Sequence, residues 1–336
     1  MKMVVLRAVE TGTSPQSLNA NVMAGERPIC PNLQRYYYLS PREKIKYLAT
    51  PEAQFLFSGL PTEVAEMLQK GFLAGSLGVN ILGWEEVVVN YFMANSRIIP
   101  ALAENPGTFT MLEKMYHFEP VNGVIDNYFL QCKSGGQALY NRYKVVTAKA
   151  CDHIAEVLVN NGQCLMIDIG SGPGRNAIDI CRLHPEFNGV IKIDCIDIDP
   201  AVITKGQELI AEFGIKQVEF VQKSMTRLRK RYHGNVGYGL LIGILCGLTR
   251  QERVGLLISL KSYFCKGARL VAASLLDKMI AEDLLCAYIL RETTGWGLQY
   301  PPFGELKEVF EEAGWQYEGY FQDEPTRFYE IGIGVA

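Results

Sequence analysis

The sequence has no long hydrophobic segment, no strong excess of one charge and no repeated or low-complexity segment. The longest nearly uncharged run, residues 236–249, is too short to cross a bilayer as a helix. The net charge of −3 gives no electrostatic attraction to nucleic acid or to anionic lipid. The one basic cluster, Arg227 with residues 229–231, is short and is predicted to be a solvated loop or helix end. We therefore expect neither a nucleic acid nor a membrane as a partner.

Paired metal-binding or disulfide motifs are also missing. The nine cysteines form no C-x-x-C pair, and several lie in apolar runs, among them Cys195 and Cys246. This pattern is typical of buried, reduced thiols. None of the four histidines stands at ligand spacing from another histidine, cysteine or acid, so we predict no metal site. The apolar N-terminal stretch is interrupted by Arg7 and Glu10 and is too short for a signal peptide, so we expect a cytoplasmic protein.

The sequence changes character near Gly162. Before it, from about residue 35 onward, apolar residues recur at three- and four-residue spacing, which is typical of helices. Residues 135–158 are predicted to form one long helix. After Gly162, strand-like apolar runs alternate with helical stretches, which predicts an α/β fold with a doubly wound, mostly parallel seven-stranded sheet. An antiparallel C-terminal hairpin would close the sheet, and the expected domains are a mainly helical region, 1–135, and an α/β domain, 136–336.

A glycine-rich turn follows the first predicted strand in IDIGSGPGRN, residues 167–176. The strand ends near Asp168, and glycines stand at alternate positions, 170, 172 and 174. Glycine permits a tight turn and lets a ligand approach the backbone closely, so this regular spacing favours a ligand-binding turn over a simple one. Dinucleotide-binding turns require G-x-G-x-x-G, and Arg175 stands at the position of their last glycine. A nicotinamide or flavin cofactor is therefore disfavoured.

An acid also ends the second predicted strand, in CIDIDP. Asp197 could accept hydrogen bonds from both hydroxyls of a ribose, and the alternative is a solvated acid at a strand end. Asp199 is predicted to cap the helix that begins at Pro200. A glycine turn together with this acid favours a nucleoside-containing ligand.

The D-x-G-x-G-x-G pattern of residues 168–174, followed by Asp197, resembles the motifs of the class I S-adenosylmethionine-dependent methyltransferases. In that family the loop wraps the methionine moiety of the cofactor. The resemblance covers roughly residues 137–336 and implies a Rossmann-like fold with S-adenosylmethionine as cofactor. The cofactor contacts that it implies are Asp168, Gly170, Ser171, Gly172, Gly174, Asp197 and Ile198.

Two places depart from the family pattern. The third strand often ends in an aspartate that binds the adenine amine, whereas FVQKSM offers Ser224 as an acceptor and Met225 to pack on the ring. After the fourth strand, many members place a polar or aromatic residue near the methyl group, whereas residues 244–247 are apolar. A catalytic base is therefore not expected there. The N/D-P-P-Y/F tetrapeptide of many amine methyltransferases for nucleic-acid bases is also missing at this position.

Candidates for catalysis must come from outside the cofactor motifs. Tyr140 and Tyr143 share one helix face, and helices before the first strand often cover the cofactor in this family; simple packing is the alternative. Asp277 and Tyr300 are weaker candidates, and His117 is expected to be structural. Three tyrosines at 36–38 would pack at a domain interface or wall an acceptor pocket.

The implied function is in-line methyl transfer to a small molecule or a carrier-bound metabolite. The alternative is a non-catalytic nucleoside-binding or scaffold protein that keeps the fold, and a nicotinamide oxidoreductase comes third. Added helical regions commonly form the acceptor site or a dimer interface in multi-domain members of the family. Residues 1–135 are therefore expected to be a substrate lid or a dimerisation region, which makes a homodimer plausible.

Overall fold

The computed structural model describes residues 134–282 and 297–336, with isolated positions between 40 and 116. The chain divides into two compact units. One comprises Met1–Asn141, Asp277–Leu298 and Asp323–Phe328, and the other comprises the rest. The expected boundary at 135/136 lies close to the division at 141/142, but two later segments also join the first unit. The tyrosines at 36–38 and His117 lie outside the described residues.

A seven-stranded sheet forms the second unit, in the order β3-β2-β1-β4-β5-β7-β6. The strands are β1 Cys164–Ile169, β2 Ile191–Asp197, β3 Val218–Gln222, β4 Val236–Leu241, β5 Phe264–Leu275, β6 Gln316–Gln322 and β7 Tyr329–Val335. Strands β1 to β5 pair in parallel, and β7 is antiparallel to both β5 and β6. The predicted mostly parallel sheet with an antiparallel C-terminal pair is therefore confirmed.

Helices cover both faces of this sheet. They are α1 Ser134–Asn161, α2 Arg175–Leu183, α3 Pro200–Glu212, α4 Arg250–Lys261 and α6 Glu305–Glu312, while a short α5, Lys278–Glu282, belongs to the first unit. Apolar side chains of α4 and α6 join one core cluster with β1, β4 and β5. Within it, the Trp315 indole donates to the carbonyl of Leu257 at 2.9 Å. On the other face, His153 of α1 meets Tyr238 of β4 edge-to-face.

Helices α3 and α4 start where the capping residues of the sequence predict. Asp199 caps α3 as predicted, because its Oδ1 accepts the backbone N–H of Ala201 at 2.8 Å and Pro200 is the first helical residue. Thr249 and Glu252 form a reciprocal capping box at α4. One strand end differs, because the apolar run predicts β4 through residue 245, whereas the strand ends at Leu241. The chain turns away at Gly243, which has φ +84°, a backbone conformation that favours glycine.

The basic cluster of the sequence is used for ion pairing with acids of β2 and β3. Asp194 is fully buried in β2, and its Oδ2 lies 2.5 Å from Nη2 of Arg231. The Tyr232 hydroxyl donates to the same oxygen at 2.8 Å, and burial with this carboxylate raises the pKa of Tyr232 to about 12. Arg229 approaches Glu219 at 3.6 Å. These pairs tie the segment before β4 to the sheet, so the cluster is more than a solvated loop.

Within the described ranges, no helix combines the length and the apolar composition needed to cross a membrane. The cysteines there are free thiols, and all but Cys265 are buried. No group of three or more His, Cys, Asp or Glu side chains in the same ranges could hold a metal ion.

Candidate cofactor-binding site

The glycine turn after β1 is held tightly against the end of β2. The backbone N–H groups of Gly170 and Ser171 both donate to the carbonyl of Ile196, at 2.8 and 3.2 Å. Gly170, Gly172 and Gly174 have φ of +65°, +56° and +75°. Side chains other than glycine rarely adopt these angles, so the alternating glycines are what allow the chain to turn here.

The three glycines face different surroundings. A Cβ at Gly170 would overlap the end of the Ile244 side chain, with Cγ1 at 2.7 Å. A Cβ at Gly174 would lie 2.7 Å from Cζ of Phe220 and 3.0 Å from Sγ of Cys195. A Cβ at Gly172 would have no atom within 4 Å. The middle of the turn is therefore bare backbone facing open space, while both of its ends are packed.

Asp197 at the end of β2 contacts this turn directly. Its Oδ2 accepts the backbone N–H of Gly172 at 3.1 Å, and its Oδ1 accepts those of Ile198 and Asp199 at 2.8 and 3.1 Å. A carboxylate offers about four lone-pair sites, so this carboxylate keeps acceptor capacity at Oδ2. The structure thus brings the acid and the glycine turn, 25 residues apart, into one site.

Asp168 lies beneath the turn and is only 3% exposed. Burial disfavours its charged form, and the nearby charge of Asp197 adds to this effect, so the pKa of Asp168 rises to about 7. Its side chain can therefore change charge near neutral pH.

The residues after β2 and β3 lie side by side. Ile198 is 66% exposed, and the backbone N–H of Lys223 donates to the carbonyl of Asp197 at 2.9 Å. Ser224 follows directly, with its Oγ 2.9 Å from Oγ1 of Thr226. Met225 is half-buried against the core cluster. This arrangement follows from the parallel sheet, because the carboxyl ends of its strands meet at one edge.

Residues 242–248 form the turn after β4, which we call the β4 exit turn. It lies on the other side of the glycine turn from β2. Ile244 is the residue that meets Gly170, and a 3-10 turn spans Leu245–Gly247. The carbonyl of Cys246 accepts the N–H of Gln299 at 2.7 Å, which places the predicted candidate Tyr300 next to this turn.

The two candidate tyrosines of α1, Tyr140 and Tyr143, are both buried. The hydroxyl of Tyr143 donates to Oδ2 of Asp179 on α2, and Thr147 accepts from Nδ2 of Asn176 at 2.9 Å, so the two helices are bonded together. Tyr140 is buried and belongs to the first unit, as does Asp277, which is exposed just after β5.

Three contributors to the site were not found from the sequence. Phe220 fills the space beside Gly174, and Arg142, which is buried, has Nη2 4.0 Å from a Cβ placed on Gly243. Arg253 is buried below the β4 exit turn. Of these, only Arg253 had a signal in the sequence. The T-x-x-E pattern at Thr249 predicts where α4 starts, which places Arg253 in the first turn of that helix.

No family model matches the chain, and no curated protein sequence matches it. Among solved structures, a possible exported protein from Bordetella parapertussis is 14% identical with a TM-score of 0.61, covering 85% of this chain and 99% of that one. Magnesium protoporphyrin IX methyltransferase (ChlM) from Synechocystis PCC 6803, with bound SAH, is 15% identical with a TM-score of 0.49, covering 71% and 98%. A SAM-dependent methyltransferase from Methanosarcina mazei is 14% identical with a TM-score of 0.40, covering 52% and 91%.

At these identities the likeness concerns the fold. The mostly parallel seven-stranded sheet with an antiparallel C-terminal pair is the arrangement that the sequence predicts. The chain has a Rossmann-like α/β fold. Its glycine turn and Asp197 lie at the carboxyl edge of the sheet, where open α/β sheets bind their ligands.

Proposed function

We propose that the chain is an S-adenosylmethionine-dependent methyltransferase that transfers a methyl group in line to a small molecule or a carrier-bound metabolite. The observation that carries this proposal is the bond from the backbone N–H of Gly172 to Asp197 at 3.1 Å. It joins bare backbone suited to a cofactor tail with a carboxylate suited to a ribose. Neither feature alone would favour a nucleoside with an amino-acid tail.

The residues present fit such a cofactor. The open space at Gly172 leaves room for a ligand against the backbone, and Oδ2 of Asp197 keeps acceptor capacity for a ribose hydroxyl. A contact to both hydroxyls would require the carboxylate to give up one of its three backbone partners. Ile198 would pack on one face of the adenine, with Ser224 and Met225 nearby. When bound, S-adenosylmethionine supplies a methyl group already activated by its positively charged sulfur.

The protein then contributes alignment and exclusion of water rather than strong acid–base chemistry. Ile244 and the β4 exit turn form an apolar wall at the Gly170 end of the loop. The hydroxyl of Tyr143 donates a hydrogen bond to Asp179, which joins α1 to α2. Catalytic roles for Tyr140 and Tyr143 stay predictions, and Tyr300, beside the β4 exit turn, is a further candidate.

Further parts of the proposal concern partners and location. We propose a small-molecule acceptor without nucleic acid or membrane, which the net charge of −3 and the ion pairs of two of the four basic residues, Arg229 and Arg231, support. A role of residues 1–135 as lid or dimerisation region, a homodimer, and a cytoplasmic location remain predictions. The free thiols of the described residues support a reducing compartment.

Calorimetry with S-adenosylmethionine tests the proposal. We expect the wild-type chain to bind, and Asp197→Ala to weaken binding by about tenfold or more, because charge-assisted hydrogen bonds to the ribose are lost. Asp199→Ala is the matched control, since this neighbouring acid only caps α3, and its affinity should change by less than about twofold. A folded wild-type chain that releases no heat would remove the proposal.

The second candidate is a non-catalytic nucleoside-binding or scaffold protein. The apolar β4 exit turn and the serine at position 224 in place of the family's aspartate favour it. It predicts binding without turnover. Incubation with methyl-labelled S-adenosylmethionine and a metabolite extract distinguishes the two candidates, because only the enzyme transfers label into the extract.

A further inference from the structure

Arg253 is a charged side chain placed where an apolar one would be expected. It lies in the first turns of α4 and is only 2% exposed, among the apolar residues of the core that contains Val254 and Leu257. A buried guanidinium costs free energy unless its donors are used. Its bonding partners therefore show what the charge is for.

Two of the three guanidinium nitrogens have hydrogen-bond partners, and Nη2 is buried without one among the residues that the structure describes. Nε donates to the carbonyls of Leu245 and Leu248, both at 2.9 Å. These carbonyls lie on either side of the 3-10 turn, so one donor fixes both of its ends. Nη1 donates to Oε1 of Glu305 at 3.0 Å, in the first turn of α6. Arg253 therefore bonds the β4 exit turn to the starts of two helices.

The turn that Arg253 holds is the one that contacts the glycine loop. Ile244 immediately precedes Leu245, and the end of its side chain fills the space in which Gly170 lacks a Cβ. The N–H of Gly247 also donates to the carbonyl of Ile244 at 3.1 Å. A displacement of Leu245 or Leu248 would therefore move Ile244 relative to Gly170.

We propose that Arg253 is a positioning residue, which holds the β4 exit turn so that Ile244 bounds the part of the loop that receives the methionine tail of the cofactor. This inference rests on the proposed function. It separates two parts of one ligand: the tail would depend on Arg253, whereas the nucleoside would depend on Asp197. A residue that only stabilised the fold would affect both parts equally.

The test compares two ligands, adenosine and S-adenosylhomocysteine, which share the nucleoside and differ in the tail. Calorimetry gives both dissociation constants for the wild-type chain and for Arg253→Met, which keeps the length and loses the donors. We expect the constant for S-adenosylhomocysteine to rise about tenfold, as expected for losing hydrogen bonds from a charged donor, and that for adenosine to change less than about twofold.

Arg250→Met is the matched control, because Arg250 lies on the same helix and makes exposed ion pairs with Glu312 and Glu308 at 2.7 and 3.6 Å. It should leave both constants within about twofold, since exposed pairs contribute little. If Arg253→Met does not fold, Arg253→Lys replaces it: a lysine keeps the charge but cannot span both carbonyls and Glu305. The lysine variant should show the same selective loss, with a smaller size.

The outcomes separate the inference from the proposed function. A wild-type chain that binds neither ligand contradicts the proposed function itself. A wild-type chain that binds both, with an unchanged ratio of the two constants in the folded Arg253 variant, overturns only the role of Arg253. A selective rise for S-adenosylhomocysteine supports it.

Discussion

Two acids of β2, three residues apart, have opposite surroundings. Asp194, in the middle of the sheet, is fully buried and is bonded to the guanidinium of Arg231 and the hydroxyl of Tyr232. Asp197, at the carboxyl edge, receives only backbone N–H groups and has no cation among its bonded partners in the described part of the chain.

The difference shows how a structural acid and a binding acid can be told apart. An acid neutralised by a cation and a phenol has its charge compensated within the protein, so its contribution is to stability. An acid held by backbone donors at an open edge keeps acceptor capacity for a ligand. Mutations in the middle of the sheet should therefore change mainly the stability of the chain. Mutations at its carboxyl edge should change mainly ligand binding.

The largest expected effect is on the middle of the sheet. Asp194→Ala removes the acceptor of the buried Tyr232 hydroxyl and the buried partner of a partly exposed Arg231, which should lower the free energy of unfolding by about 3 kcal/mol. Denaturant titration measures this. Binding of S-adenosylmethionine to the folded fraction should be unchanged, and a selective loss of binding instead would break the comparison.

The pH dependence of Asp168 comes next. Its pKa rises from 3.8 to about 7 on folding, so the folded chain binds this proton more tightly than the unfolded chain. Stability should therefore fall as pH rises through this window, by about 2 to 3 kcal/mol between pH 5 and pH 7. Asp168→Asn removes this contribution, so the ligand-free variant should gain stability relative to wild type as pH rises. Parallel wild-type and variant pH profiles in denaturant titrations would contradict the burial argument.

Two glycines with similar φ angles allow the effect of backbone strain to be distinguished from an effect on binding. Gly162, between α1 and β1, has φ +72° and open space around its Cβ position, whereas Gly170 has φ +65° and meets Ile244. Alanine at Gly162 should cost about 1 to 2 kcal/mol of stability from the left-handed conformation, and alanine at Gly170 should cost more because it also displaces Ile244. Only Gly170→Ala should also weaken binding of S-adenosylmethionine in calorimetry. Equal binding losses would mean that the effect comes from general destabilisation.

The smallest effect is expected at the start of α4. Thr249→Ala breaks the capping box with Glu252 and should lower the melting temperature, as expected for a loss of about 1 kcal/mol. Thr249→Ser keeps the hydroxyl and serves as the control. Affinity should change less than about twofold, because the contacts of Thr249 are to its own helix. A large loss of affinity for S-adenosylmethionine would contradict this and would mean that the helix cap also contributes to binding.

Much of the fold could be predicted because its signals are local. Strand–helix alternation after Gly162 gave the sheet, and the Asp199–Pro200 pair gave the start of α3. The end of β4 was predicted four residues too late, at Leu245 instead of Leu241, because apolar residues continue through the turn and only the backbone angle of Gly243 ends the strand.

The glycine turn and Asp197 could be found because spacing along the chain carries their signal. The partners that surround them could not be, since their contacts cross between elements. Phe220 reaches Gly174 from another strand, and the charge of Arg253 would be assigned to the surface on composition alone. Likewise, nothing in KIDCID predicts that Asp194 pairs with Arg231 and Tyr232.

The ring of Phe220, beside the glycine loop, restricts which substitutions this sequence can accept. Phe220 fills the space that a side chain would need at Gly174, and it also fills the space at Gly206 in the middle of α3. Among descendants of this chain, a larger residue at either glycine should arise only together with a smaller one at position 220. The three positions should therefore co-vary as a group, even though they lie on three different elements.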